Sequence, residues 1–191
     1  MHPTHKEHLH NHTTACETVV RLSSYANIFL LLYACTASSA AEAAPQPSGK
    51  WQILPAPSTT EESIALSLKA ENPVAGWMKT SVPVLTIQCN KGKPAVYIET
   101  GMGLEVTMVD QQIVHIQLDD NKPISQRWRE VTNATVSAST RDSTALIRQL
   151  IQSQKFLFKF TPFSSAPAQA EFVVSGLSAY SPQLDRACWG K

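Results

Sequence analysis

The chain has 191 residues, 43% of them hydrophobic, with 16 Lys and Arg set against 15 Asp and Glu. That length and apolar content suit one globular domain plus a removable segment, and they exclude an intrinsically disordered chain. The balanced charge excludes the basic field that carries phosphate-backbone binding, so nucleic acid is not an expected partner.

The first segment reads as an export address. Five of the six histidines stand in "MHPTHKEHLHNH", a tract that either binds metal as a short His-rich run or is discarded with a leader. Arg21 then precedes the apolar run "YANIFLLLYACTA", which is shorter than the roughly 20 residues a membrane span needs. "SSAAEAAPQP" supplies the small residues that signal peptidase selects. The expected organisation is a leader with signal peptide over residues 1–43, cleaved after Ala43, a linker over 44–50 and a single β-rich domain over 51–191. No transmembrane span is expected in the mature chain. Cys35 in "LYAC" stands where a lipoprotein cysteine would, with bulky Tyr33 where that motif wants a small or β-branched residue. A lipid anchor in the outer membrane is therefore the alternative to a free periplasmic protein.

Cleavage removes Cys16 and Cys35 and leaves Cys89 and Cys188. An even pair in an exported protein is expected to be oxidised. The bridge would close a loop of about 100 residues, worth about 4.7 kcal/mol in the chain-entropy account. Two free buried thiols are the alternative; a redox site would want a CxxC pair, which the chain lacks.

In the mature part, "ESIALSLKA" alternates Ile64, Leu66 and Leu68 against Ser63, Ser67 and Lys69, the period of a half-buried strand. Trp77 in "NPVAGWMKT" lies on a loop flanked by Pro73 and Gly76, where it and Met78 either anchor a partner protein or fold back over a sheet edge. "VPVLTIQC" puts Leu85, Ile87 and Cys89 on one face; "NKGK" is a turn, and "PAVYIE" returns as a hairpin. "GMG" reads as a flexible connection, followed by alternating Leu104, Val106 and Met108, and then by Val114, Ile116 and Leu118. "DDNKP" turns into the strand "ISQRWREV". "RDSTALIRQLIQSQ" predicts an amphipathic helix capped by Asp142 or Ser143, with Leu146, Ile147, Leu150 and Ile151 on its apolar stripe. "KFLFKF" places Phe156, Phe158 and Phe160 on one side of a strand; "TPFSSAPA" turns, and "QAEFVVSG" aligns Ala170, Phe172 and Val174. "LSAYSPQLDRACW" closes the chain as a short broken helix interrupted at Pro182, with Leu184, Cys188 and Trp189 inward. The predicted fold is mainly β: an antiparallel β-sandwich-like domain with one amphipathic helix and a short C-terminal helix.

The helix "STALIRQLIQSQ", the strand "KFLFKF" and the terminal "AEFVVSGLSAYSPQLDRACW" together resemble the exported accessory family of bacterial type VI secretion called VasI or TagO. Trp51 opening the domain, "LTIQC" feeding a hairpin and Trp128 before the helix agree in order. Two positions depart from that family: Gln117 stands where it tends to carry Arg, and "REVTN" replaces its usual start after the tryptophan. The resemblance implies an accessory protein with protein partners in the cell envelope.

No constellation for chemistry stands out beside it. Asp119 and Asp120 are adjacent, as are Glu61 and Glu62, and neighbours on an extended chain point to opposite faces. His115 is the only histidine after the leader and has no second histidine or cysteine to share a metal with, so it reads as a surface residue. "VSGLS" is not the nucleophile motif G-x-S-x-G. A non-enzyme without metal or cofactor is the expectation. An exported inhibitor or host-interaction protein and a periplasmic hydrolase are the competing classes.

Overall fold

The period-two alternation builds strands wherever it is longest. In the computed structural model, which describes residues 50–55, 63–105 and 111–190, the strands are β1 (Gln52–Ile53), β2 (Ser63–Lys69), β3 (Val74–Ala75), β4 (Thr80–Ser81), β5 (Val84–Asn90), β6 (Lys93–Glu99), β7 (Gln111–Leu118), β8 (Ile124–Thr132), β9 (Thr135–Ser137), β10 (Lys155–Phe160) and β11 (Ala168–Val173). The leader and its cleavage point, Cys35, the Glu61–Glu62 pair, Val106 and Met108 lie outside the described residues. The predicted class holds: a mainly β, antiparallel domain with one amphipathic helix, α1 (Thr140–Leu150), and a short C-terminal helix, α2 (Ser181–Trp189).

Nine strands form one continuous sheet in the order β1-β2-β5-β6-β9-β8-β7-β10-β11, and β3 with β4 forms a separate hairpin. The sheet curls until its two ends meet. The Trp51 indole N–H, beside β1, donates to the Val174 carbonyl just past β11, at 3.2 Å. Beyond β2, the Glu71 amide donates to the Glu171 carbonyl at 2.8 Å. The Asn72 side chain donates to the Gln169 carbonyl and accepts from the Glu171 amide. One amide side chain thus stands in for a neighbouring strand along β11, satisfying backbone groups that an open edge would offer to another chain.

Inside the curl, alternate residues of β5, β6, β7, β10 and β11 and the apolar faces of both helices form one core, while β2 is buried on both faces, Ala65 and Ser67 included. Its centre is aromatic. Trp128 lies 5.1 Å from Phe158 in a tilted arrangement, and Phe158 continues to Phe160 at 5.5 Å and Phe156 at 6.4 Å. Phe156 stacks on Phe172 at 5.9 Å. The buried indole of Trp128 keeps a partner, donating to the Gln126 side-chain oxygen at 2.8 Å, as a buried polar tip requires.

Helix α1 starts earlier than the sequence suggests. Its N-cap is Ser139, whose hydroxyl accepts from the Asp142 amide and donates to the Asp142 carboxylate. Asp142 is thus the third helical residue, held by the cap, rather than the cap itself. Ser143, the other expected cap, is buried, and its hydroxyl accepts the Val96 amide of β6. Short β9 pairs only with Tyr97–Glu99 of β6, so this hydroxyl serves an edge amide next to the end of that pairing. Pro182 likewise lies in the first turn of α2, where its missing N–H costs nothing. The interruption is instead the change from a 3-10 turn at Leu177–Tyr180 to α2.

Phe158→Ala should remove a ring buried among three other aromatics and cost about 3–5 kcal/mol. Lys159→Ala, one residue on and facing outward, should stay within about 0.5 kcal/mol. Urea unfolding followed by tryptophan fluorescence measures both, and equal losses would contradict this placement of the core.

Candidate functional site

Hairpin geometry decides what Trp77 and Met78 can do. Val74 pairs with Ser81 and Ala75 with Thr80, and the Gly76 amide donates to the Lys79 carbonyl at 2.9 Å. Trp77 and Met78 are therefore the two tip residues of a tight turn, and among the described residues no further strand pairs with this hairpin. Their exposures are 69% and 82%.

The body beneath the hairpin is shaped to receive it. Gly101 has φ +69°, and a Cβ there would lie 2.1 Å from the Ser81 hydroxyl, so only glycine fits. A Cβ on Gly76 would meet the Met102 sulfur at 2.9 Å. Met102 and Leu104 are buried, and the Thr100 hydroxyl lies 2.9 Å from the Met102 carbonyl and 3.0 Å from that of Ala134. "GMG", read from sequence as a flexible connection, is therefore a packed floor. Leu104 bridges Pro162, and the Phe163 amide donates to the Gly103 carbonyl at 3.0 Å, which brings Phe163 to the opposite wall.

The result is an apolar groove of about 850 Å³ with Trp77 and Met78 on one side, Phe163 on the other, Met102 and Leu104 below, and Lys79 and Glu130 among its polar lining. Single exposed apolar residues are ordinary, whereas a contiguous set around a concavity marks a site of contact. Tryptophan, phenylalanine and methionine are the side chains that interface centres favour, and methionine adapts its shape to what it meets. The sequence singled out Trp77 and Met78. It missed Phe163, Met102 and Leu104, which join them only through pairing between residues far apart in the chain.

The disulfide is formed as the cysteine count implied. Cys89 and Cys188 are bonded, their Cα atoms 5.0 Å apart, and both are buried. The bond links the core face of β5 to the last turn of α2.

The residues considered for chemistry are not brought together. His115 faces outward on β7, its Nδ1 2.9 Å from the Ser125 hydroxyl. Asp119, expected to be a solvated turn residue, adopts φ +49° and accepts the backbone amides of Gln154 and Lys155 at 2.8 and 2.9 Å. It is the bracket that fixes the chain's entry into β10. The Lys155 amide first, then the Gln154 amide, hold its pKa below the usual carboxylate value; the Ser153 hydroxyl adds to this and partial desolvation opposes it. Gln117, at the position where the resembled family tends to carry Arg, donates to the Asp119 carbonyl at 3.2 Å. Among the described residues no three His, Cys, Asp or Glu side chains are grouped as metal ligands.

A depressed carboxylate pKa stabilises the fold above the unfolded value of about 3.9, and that contribution is lost as pH falls through the lower folded value. Asp119→Asn keeps an oxygen for both amides but not the charge. The stability gap between the native chain and this variant should be constant near neutrality and shrink between about pH 5 and pH 2. Thermal unfolding across that range reads it, and a gap that does not change with pH would contradict the role given to Asp119.

Comparison of the chain with models of known protein families, with curated proteins and with solved structures finds no match.

Proposed function

We propose that the chain is a non-catalytic, exported accessory protein of a bacterial type VI secretion apparatus, working in the periplasm by docking a protein partner of the cell envelope. The observation that carries the docking role is the exposed Trp77, Met78 and Phe163 set around one apolar groove. The secretion context rests on the resemblance in "STALIRQLIQSQ", "KFLFKF" and the terminal Cys-Trp segment. A buried disulfide is compatible with an oxidising compartment, and among the described residues no helix is long and apolar enough to cross a membrane. The free periplasmic form is proposed over a protein anchored through a lipid on Cys35.

The Trp77 ring is exposed at the hairpin tip, so its burial by a partner removes a large apolar surface from water. Hot-spot tryptophans typically cost 2 kcal/mol or more on truncation, about thirtyfold in affinity.

Deleting the gene should lower secretion, or killing of competitor cells, while the apparatus is active. Restoring it as Trp77→Ala/Met78→Ala should leave the defect at normal protein abundance, because neither side chain supports the core. Restoring it as His115→Ala/Asp119→Asn/Asp120→Ala should repair secretion. Failure of that triple variant at normal abundance would favour a hydrolase, and a deletion strain with intact secretion would move the protein to the inhibitor or host-interaction class.

A further inference from the structure

The outer face of the sheet carries a second concavity, away from the apolar groove. Tyr97 of β6, Ser137 of β9, Arg129 of β8 and Gln111 of β7 are direct cross-strand partners, one row over four strands. Arg127 lies two residues along β8 on the same face, roughly 6.7 Å from Arg129 by strand rise. These side chains, with Thr140 at the start of α1, line a cavity of about 500 Å³. The small Ser137 between Tyr97 and Arg129 leaves the depression.

Charge is unbalanced there. Among the described residues the ion pairs are Lys50–Glu71 and Lys155–Glu171, and no described carboxylate lies at ion-pair distance from either guanidinium. Asp142, the acidic residue in the first turn of α1, does not line the cavity and accepts from the Ser139 hydroxyl. Two adjacent like charges repel, and an oxyanion between them turns that repulsion into attraction. Guanidinium forks match the oxygens of phosphate in spacing and plane. The hydroxyls of Tyr97 and Thr140 add two donors of the kind a third or fourth oxygen uses.

We propose that this cavity binds a phosphate-class oxyanion, free or carried on an anionic lipid headgroup, with Arg127 and Arg129 as the paired donors. The site is independent of the groove and of the function proposed for it. Overall net charge of +1 gives no broad field to attract anions, so recognition is local and weakens with added salt as exposed pairs do.

The test has two arms. In the first, ¹⁵N NMR follows the arginine Nε–Hε signals of the purified protein during titration with sodium phosphate, with sodium chloride at matched ionic strength as control. Arg127 and Arg129 should shift saturably with phosphate and not with chloride, while Arg148 and Arg186 stay still. In the second, the protein is co-sedimented with phosphatidylglycerol and with phosphatidylcholine vesicles. Whichever ligand binds should bind at least about tenfold more weakly to Arg127→Gln/Arg129→Gln, the scale of losing charged hydrogen bonds. Circular dichroism verifies that this variant is folded. Saturable phosphate binding assigns the free ligand; binding to phosphatidylglycerol alone, lost in the double variant, assigns the headgroup. No saturable shift together with vesicle binding that is absent or unchanged in the double variant would overturn the proposal.

Discussion

One covalent bond holds α2 to the core face of β5. Cys89 is a core residue near the end of β5, the third of the nine strands, and Cys188 belongs to the last turn of α2, so their union fixes α2 to the sheet. The 99-residue separation makes the constraint on the unfolded chain large, about 4.7 kcal/mol in the entropic account. Around the bond, α2 packs over β2, β5 and β6. The Gly92 amide in the β5–β6 turn donates to the Ala187 carbonyl at 3.0 Å, and Leu184 and Ala187 are buried beside it. Trp189 extends the tether sideways, with the Arg148 guanidinium of α1 over its ring at 5.1 Å, a cation–π contact between the two helices. The disulfide thus ties α2 to the sheet, and Trp189 joins α2 to α1, which packs on β6 directly.

Closure of the sheet and the groove have a common origin. The hairpin that carries Trp77 and Met78 follows directly on Glu71 and Asn72, the residues that clasp β11. The far wall at Phe163 belongs to the connection from β10 to β11. The meeting of the sheet's two ends therefore places the two walls opposite one another, and Gly101 permits the floor to approach Ser81 closely enough to support the hairpin. The arginine row depends on other contacts, the register of β6, β9, β8 and β7.

Local periodicity made much of this legible. Leu85, Ile87 and Cys89, the three phenylalanines of β10, and the stripe of α1 each reveal their buried face within one short segment, because strand and helix periods are local properties. What escaped was set by distant partners. Strand β9 has three residues and exists because β6 and β8 flank it. Asp119 looked like a turn carboxylate, since its amide partners lie 35 and 36 residues away. The groove was half visible: Trp77 beside proline and glycine signals an exposed aromatic, whereas Phe163 in "TPFSSAPA" carries no mark of the surface it completes. The cap of α1 was misplaced by one turn because Asp142 and Ser143 are themselves good capping residues, and only the Ser139 geometry distinguishes them.

The most direct measurement is the state of the two cysteines in protein taken from cells. Cells are lysed into denaturant containing an alkylating agent, so that buried thiols are exposed and trapped, and the protein is digested without reduction and mapped by mass spectrometry. Cys89 and Cys188 should be recovered as one linked peptide pair without alkylation. Recovery of both as alkylated free thiols would contradict the tether, and with it the oxidising compartment on which the proposed function depends.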